Sequence, residues 1–279
     1  MGALWMLAAG ALFAAMGVFT KLAAAHFSAA ELVFYRSLFG LVSLGALAWT
    51  RGWPVATPHW RLHLSRGLSG VVSLAMYFYC IARMPLATAV TLNYTSPLFL
   101  ALLTTALMGE RFRAGLVAAI AVSFVGVILL LEPSLREDQL PDAVIGLGSG
   151  LLAAVAYVNV KRLGATGEPG WRVVLYFTLV STVVGLGWAG TTGFHPITPD
   201  GAWLLLGLGS TATVAQFAMT RAYHTGHTLV VGAFAYSTVV FATLFGLVLW
   251  DERLEPAAWA GVAMVLAGGL LSLRAARPA

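Results

Sequence analysis

The chain has 279 residues, of which 59% are hydrophobic and only 10% charged, with a net charge of +5 and a single cysteine. Charged residues make up about a quarter of a soluble globular domain, so this composition excludes one and points to an integral membrane protein. The basic residues stand singly, which excludes a phosphate-tracking nucleic-acid surface, and the lone Cys80 excludes an intramolecular disulfide.

Taken in chain order, the apolar runs predict ten spans, roughly 3–25, 29–49, 62–82, 86–107, 114–132, 143–163, 170–190, 201–223, 227–250 and 256–274. Each has the ~20 residues that a helix needs to cross a bilayer core. The alternation of a membrane barrel is missing, so the expected class is all-α. The opening "MGALWMLAAGALFAAMG" has no charged leader or clear cleavage site and reads as the first span, not a signal peptide. In the second span Glu31 lies near one end, where it reads as a solvated residue, and Arg36 lies about two turns inside. Arg36 has two readings: the commoner one is snorkelling to the outer surface, and the functional one is an anchor for a substrate carboxylate. The third span carries Ser69, Ser73, Tyr77 and Cys80 at steps of three and four, hence on one face.

The fourth span contains "NYTSP". Pro97 cannot donate to the carbonyl of Asn93, so that carbonyl is released near mid-span, and in lipid an unsatisfied carbonyl costs several kcal/mol. Asn93, Tyr94 and Ser96 are therefore expected to face protein or a water-filled cavity, as a substrate site beside a hinge at Pro97. The plainer reading is a proline kink with back-bonded hydroxyls. After the fifth span, "LLLEPSLREDQLPDAVIG" reads as a solvated linker with Glu132, Glu137, Asp138 and Asp142. Tyr157 and Asn159 interrupt the sixth span. Thr213, Gln216, Thr220 and His224 line one face of the eighth, and Tyr236, Ser237 and Thr238 interrupt the ninth. Each polar group alone fits interhelical glue. Their convergence on spans 3, 4, 6, 8 and 9 points to a cavity bordered by Tyr77, Asn93, Tyr94, Ser96, Tyr157, Asn159, Gln216 and Tyr236.

With a cytoplasmic N-terminus the inner flanks hold eleven basic residues, Arg51, Arg61, Arg66, Arg111, Arg113, Lys161, Arg162, Arg172, Arg221, Arg274 and Arg277, against four outer ones, Lys21, Arg83, Arg136 and Arg253. The positive-inside rule then puts both termini in the cytoplasm. An offset of 142 lays "NYTSPLFLALLTTALMGERF" over "AYSTVVFATLFGLVLWDERL", pairing Tyr94 with Tyr236 and Glu110-Arg111 with Glu252-Arg253. A two-residue adjustment upstream pairs Lys21 with Lys161. The chain therefore reads as two five-helix repeats, 1–140 and 143–279, and an odd span number inverts the second, a design that many secondary transporters share. The Glu-Arg corners are expected to tie the turns between spans.

These features, ten spans in two copies whose fourth span ends in Gly/Asp-Glu-Arg and is followed by a glycine-rich fifth, resemble the EamA-type branch of the drug/metabolite transporter superfamily over essentially the whole chain. Within it they are similar to bacterial exporters of aromatic and other amino acids. The resemblance implies a multi-pass inner-membrane exporter. One departure is that His227 stands where the first copy has Pro85. Small multidrug antiporters of that superfamily use an intramembrane Glu in the first span, where this chain has Ala14, Ala15 and Met16. Proton coupling would then fall to Glu31 or to a histidine such as His224, and facilitated diffusion stands beside it.

The expected function is export of small metabolites, amino acids foremost, by alternating access. The alternatives are a carrier of sugars, nucleotide-sugars or cationic drugs, and, in another class, a membrane-embedded enzyme built on His224 and His227. That pair lacks a third ligand and any catalytic motif. No cofactor or metal is expected. The expected partners are a small-molecule substrate and membrane lipid, with no nucleic acid, and ten spans around one cavity can act as a monomer.

Overall fold

A computed structural model of the chain describes residues 1–83, 86–108, 114–131, 139–250 and 255–275. Twelve helices make up the described residues: α1 (Gly2–Ala23), α2 (Ala29–Thr50), α3 (Trp60–Arg83), α4 (Leu86–Asn93), α5 (Ser96–Met108), α6 (Ala114–Leu131), α7 (Leu140–Ala165), α8 (Gly170–Thr192), α9 (Pro199–Thr225), α10 (Thr228–Ala235), α11 (Ser237–Trp250) and α12 (Pro256–Ala275). They form ten spans, because α4 with α5 and α10 with α11 are the two halves of the interrupted fourth and ninth. Leu, Val and Trp side chains such as Val42, Trp49, Leu206 and Val248 cover the outside. Small residues such as Ala9, Ala154, Ala215 and Ala222 fill the interior, which lets helices approach closely where lipid gives no hydrophobic drive for association.

Local chemistry sets the helix ends. Ser28 and Glu31 form a reciprocal capping box at the start of α2, which satisfies two orphan backbone donors. Thr198 accepts from the Gly201 amide at the start of α9, where Pro199 opens the helix. The sixth span runs unbroken through Tyr157 and Asn159, and α7 begins at Leu140. Asp142, expected in a solvated linker, therefore sits in its first turn. There it accepts from the Tyr79 hydroxyl at 3.1 Å and from Arg83 Nε at 3.3 Å, an acidic group placed where the helix dipole favours it. The expectations for Pro85, Glu132, Glu137, Asp138 and the corners Glu110-Arg111 and Glu252-Arg253 lie outside the described residues.

The packing pairs repeat. α1 packs on α9, α3 on α7, α2 on α8 and α6 on α12. Exchanging α1–α6 with α7–α12 turns the first two pairs into each other and leaves the last two unchanged. α1 also packs on α10 and α11, as α7 does on α4 and α5.

Each broken span is seated on a glycine of the opposite half. At the first break, Tyr94 N bonds Val90 O at 2.9 Å and Thr95 N bonds Leu92 O at 3.2 Å, and a new helix opens at Ser96. Pro97 thus falls in the first turn of α5, where its missing N–H costs nothing, and the interruption lies upstream at Tyr94 and Thr95. A Cβ on Gly150 of α7 would stand 2.9 Å from Leu92 O and 3.1 Å from Asn93 O. At the second break a Cβ on Gly10 of α1 would stand 2.6 Å from Ser237 Oγ and 3.2 Å from Thr238 N. Gly10 and Gly150 are paired by the same two-residue-adjusted offset that pairs Lys21 with Lys161.

Gly150→Ala should therefore lower the thermal unfolding midpoint in detergent by several degrees, about 1–3 kcal/mol of overpacking. Gly17→Ala should leave it unchanged, because a Cβ there has open space around it. Equal midpoints for the two variants would refute the seating.

Candidate functional site

The breaks meet at the centre of the bundle. Tyr94 and Tyr236, one at each break, have ring centroids 6.2 Å apart, and Tyr94 bonds Thr238 across the halves. Tyr157 of α7 stacks on Tyr223 of α9 at 5.2 Å and 18°. Tyr94 lies within electrostatic reach of Tyr77 and Tyr157, and Tyr223 of Tyr157 and Tyr236. Four of the expected site residues thus join one aromatic cluster, together with Tyr223. The hydroxyls of Tyr223, Tyr236 and the adjacent Ser237 are buried there without a protein partner. Buried polar atoms are seldom left so.

The amides have structural partners. Asn93 Nδ2 donates to Ser149 Oγ at 3.0 Å, tying the first break to α7, and Asn159 Nδ2 donates to Ser65 Oγ at 2.9 Å, tying α7 to α3. Ser73 Oγ donates to Ser149 O at 2.7 Å, so the polar face of the third span packs on α7. Ser96 is buried beside the break. Gln216 accepts from Arg66 Nη2 at 3.2 Å.

Arg66 and Glu31 stand elsewhere than expected, and Arg36 takes the inward one of its two readings. Arg36 does not snorkel. It is 8% exposed, its Nη1 lies 3.7 Å from Met16 Sδ, and it borders a small cavity with Ser37, Phe177, Thr178, Thr213 and Gln216. The reason is packing, since α2 is enclosed by α8 and α9 on the face that bears Arg36. Arg66, counted above as an inner-flank charge, is 3% exposed, with its guanidinium carbon 4.0 Å from the Phe177 ring centroid. The polar stripe of the third span in fact begins with it: Arg66, Ser69, Ser73, Tyr77 and Cys80 follow at helical spacing. Removing Arg66 from the inner set leaves ten basic residues against four. Glu31 is fully buried instead of solvated. It accepts from Ser28 N at 2.7 Å and His195 N at 2.6 Å, and pairs with His195 Nδ1 at 2.7 Å.

Glu31 and His195 form one of two clasps. The other holds Glu168, in the turn between α7 and α8. It accepts from Thr57 and from Arg172 Nη1 at 2.9 Å, and lies 3.2 Å from His63 Nε2. Arg172 also donates to Pro54 O at 2.6 Å. Because α2 and α8 run antiparallel, the loop after α8 clasps the start of α2 and the loop after α2 clasps the start of α8. The two clasps lie at opposite ends of the pair, ~30 Å apart at 1.5 Å per residue. His224 faces Gly164 of α7 and bonds the Val160 backbone, away from the cavity with Arg36. Among the described residues no three His, Cys, Asp or Glu side chains stand together as a metal site.

A family model described as the EamA-like transporter family matches residues 1–132 and 141–274. The pseudopaline exporter CntI of Pseudomonas aeruginosa is 30% identical over 97% of this chain and 92% of its own length. A riboflavin transporter of Rhizobium johnstonii is 30% identical over 98% of this chain and 91% of its own. A solved crystal structure shares the fold with a TM-score of 0.85 over 99% of both chains, at 21% identity.

The Glu168 clasp carries a pH prediction. Burial alone would raise this carboxyl, but the donors from Thr57, Arg172 and His63 outweigh it and hold the carboxyl below its ordinary value of 4.5. A depressed carboxyl stabilises the fold above its unfolded value and loses that contribution as pH falls through the folded one. Glu168→Gln should thus unfold at a lower temperature than the native chain at pH 7, by an amount on the order of 2 kcal/mol. The gap should narrow only below pH 4.5. A gap that is absent at pH 7, or that narrows between pH 7 and 5, would contradict the clasp.

Proposed function

The chain belongs to the EamA-like transporter family, and from that premise we propose that it is a secondary transporter that exports small metabolites, amino acids foremost, by alternating access. The observation that carries this reading is the pair of broken spans, each seated on a glycine of the opposite half, with Tyr94 and Tyr236 facing each other between them. A break lets the two halves of a span tilt separately, and seating it on the other half links that tilt to the opposite repeat. The units 1–140 and 143–279 are the two repeats of this scheme. Their helices recur in the same order and their contacts interchange.

The clasps supply the ends of the cycle. In this scheme the interior is shut off from both faces when both are closed. Opening the Glu168 clasp admits substrate from the cytoplasm, and opening the Glu31 clasp releases it outside. This orientation follows from the basic residues, ten inner against four outer, and puts both termini in the cytoplasm of a bacterial cell. Direction is supported by the relative named as an exporter, and small-molecule cargo by that relative and the one named for riboflavin. Amino acids suit an interior of tyrosine faces and buried cations, which can meet an ammonium and a carboxylate respectively. The ten spans enclose one interior and work as a monomer.

Proteoliposomes holding the purified protein should show saturable counterflow of radiolabelled phenylalanine, threonine or methionine, with and without a proton gradient. No flux of any of the three would overturn the amino-acid reading. Asn93→Ala and Tyr94→Ala should each cut flux at least fivefold at unchanged expression. Normal flux in both would remove the fourth-span break from the site.

A further inference from the structure

Two buried cations lie in the membrane interior with no anion beside them. Arg36 enters from the end of α2 where the helix begins, Arg66 from the opposite face on α3, and Gln216 of α9 stands between them, bonded to Arg66 and bordering the cavity with Arg36. Around them are Met16 Sδ, the Phe177 ring, Thr178 and the Tyr157 phenol, none of them a carboxylate. Among the described residues neither guanidinium makes an ion pair, and Arg66 Nε is buried with no partner at all. Glu31 and Glu168, the buried carboxylates among the described residues, are engaged in their clasps.

A buried charge is ordinarily paired or removed, and arginine cannot shed its proton within a working pH range. At the offset of 142 Arg36 corresponds to Thr178 and Arg66 to Leu208, and at the adjusted upstream offset of 140 to Tyr176 and Leu206; on either pairing the second half carries no charge at the equivalent position. Thr178 borders the same cavity, so the two repeats meet there with one cationic side and one neutral side. Packing symmetry thus accounts for the position and leaves the charges unexplained.

We infer that Arg36, Arg66 and Gln216 form a carboxylate-binding subsite, and that the preferred cargo is a small organic acid of net negative charge, such as an amino acid with a second carboxylate. This deepens the transport reading and rests on it: the anion that neutralises the arginines is the passenger. A guanidinium matches a carboxylate with two parallel N–H donors, and Gln216 holds the Arg66 fork in register while its own amide N–H remains available. A cationic drug would meet two like charges here and be rejected, and a zwitterion would neutralise one of the two. Arg36 and Arg66 then act as ligand-contacting residues, Gln216 as a positioning one.

The test compares glutamate with glutamine, which differ in one carboxylate and little in shape. Binding to the purified full chain in detergent is read by intrinsic tryptophan fluorescence and by thermal stabilisation. Glutamate should bind at least tenfold more tightly than glutamine. Arg36→Gln and Arg66→Gln should each weaken glutamate at least tenfold, bringing the two ligands to parity, with glutamine unchanged. Equal binding of both ligands to the native chain, or a preference that survives in both variants, would overturn the subsite. If neither variant keeps the native elution profile, the glutamate to glutamine ratio of the native chain decides alone. Parity alongside saturable phenylalanine counterflow would sink the subsite and spare the transport reading. A tenfold preference with no amino-acid flux in vesicles would do the reverse.

Discussion

Inside a bilayer every backbone carbonyl and amide must find its partner within the protein, and this constraint governs the bundle. A straight helix meets it alone, but a broken one cannot. The chain breaks two of its ten spans, at Tyr94–Thr95 and at Tyr236, and in each case brings the first helix of the opposite half against the break at a glycine. Thr95 Oγ1 covers Leu92 O at 2.6 Å, Asn93 reaches across to Ser149, and the absence of a side chain at Gly150 lets the two backbones meet. The breaks are tolerated because the halves are interlocked there.

The clasps stand at the two ends of the α2 and α8 pair. Each carboxylate sits at the start of one member of the antiparallel α2 and α8 pair and is held by the loop that ends the other. The chemistry differs between them: an exposed histidine closes Glu31, while Thr57, Arg172 and the buried His63 close Glu168. Two carboxylates of ordinary type are thereby committed to the ends of the path, and the middle is left to tyrosines and to two arginines. Among the described residues the fixed charge of the interior is thus positive, and the second half carries no charge at the positions equivalent to Arg36 and Arg66.

The architecture was legible in the sequence because lipid imposes length and composition on every span, and because "NYTSP" and "AYSTV" each put a polar, helix-interrupting group at mid-span. The paired tyrosines could be read from one offset. What could not be read was which polar groups face inward. Arg36 and Arg66 lie one to two turns from span ends, a depth at which a long side chain can either snorkel or turn inward, and only the enclosing of α2 and α3 by α8 decides between them. The stripe that starts at Arg66 carried that signal, but counting Arg66 as a topology charge hid it. Glu31 was misread for a similar reason: its burial depends on His195, 164 residues away, and no local pattern encodes that contact. Asp142 shows the smaller error of an acidic residue taken for linker when it serves the first turn of a helix.

The central claim is that the two clasps open in alternation around an interior closed by the interlocked breaks. The most direct test is pulsed electron spin resonance on the full chain in lipid nanodiscs, with one spin-label pair across the Glu168 clasp, at residues 56 and 167, and a second across the Glu31 clasp, at residues 26 and 196. Adding a transported substrate should lengthen one distance while the other stays short, and reversing the substrate gradient in vesicles should exchange them. Distances that lengthen together, or that do not change while flux proceeds, would contradict the account.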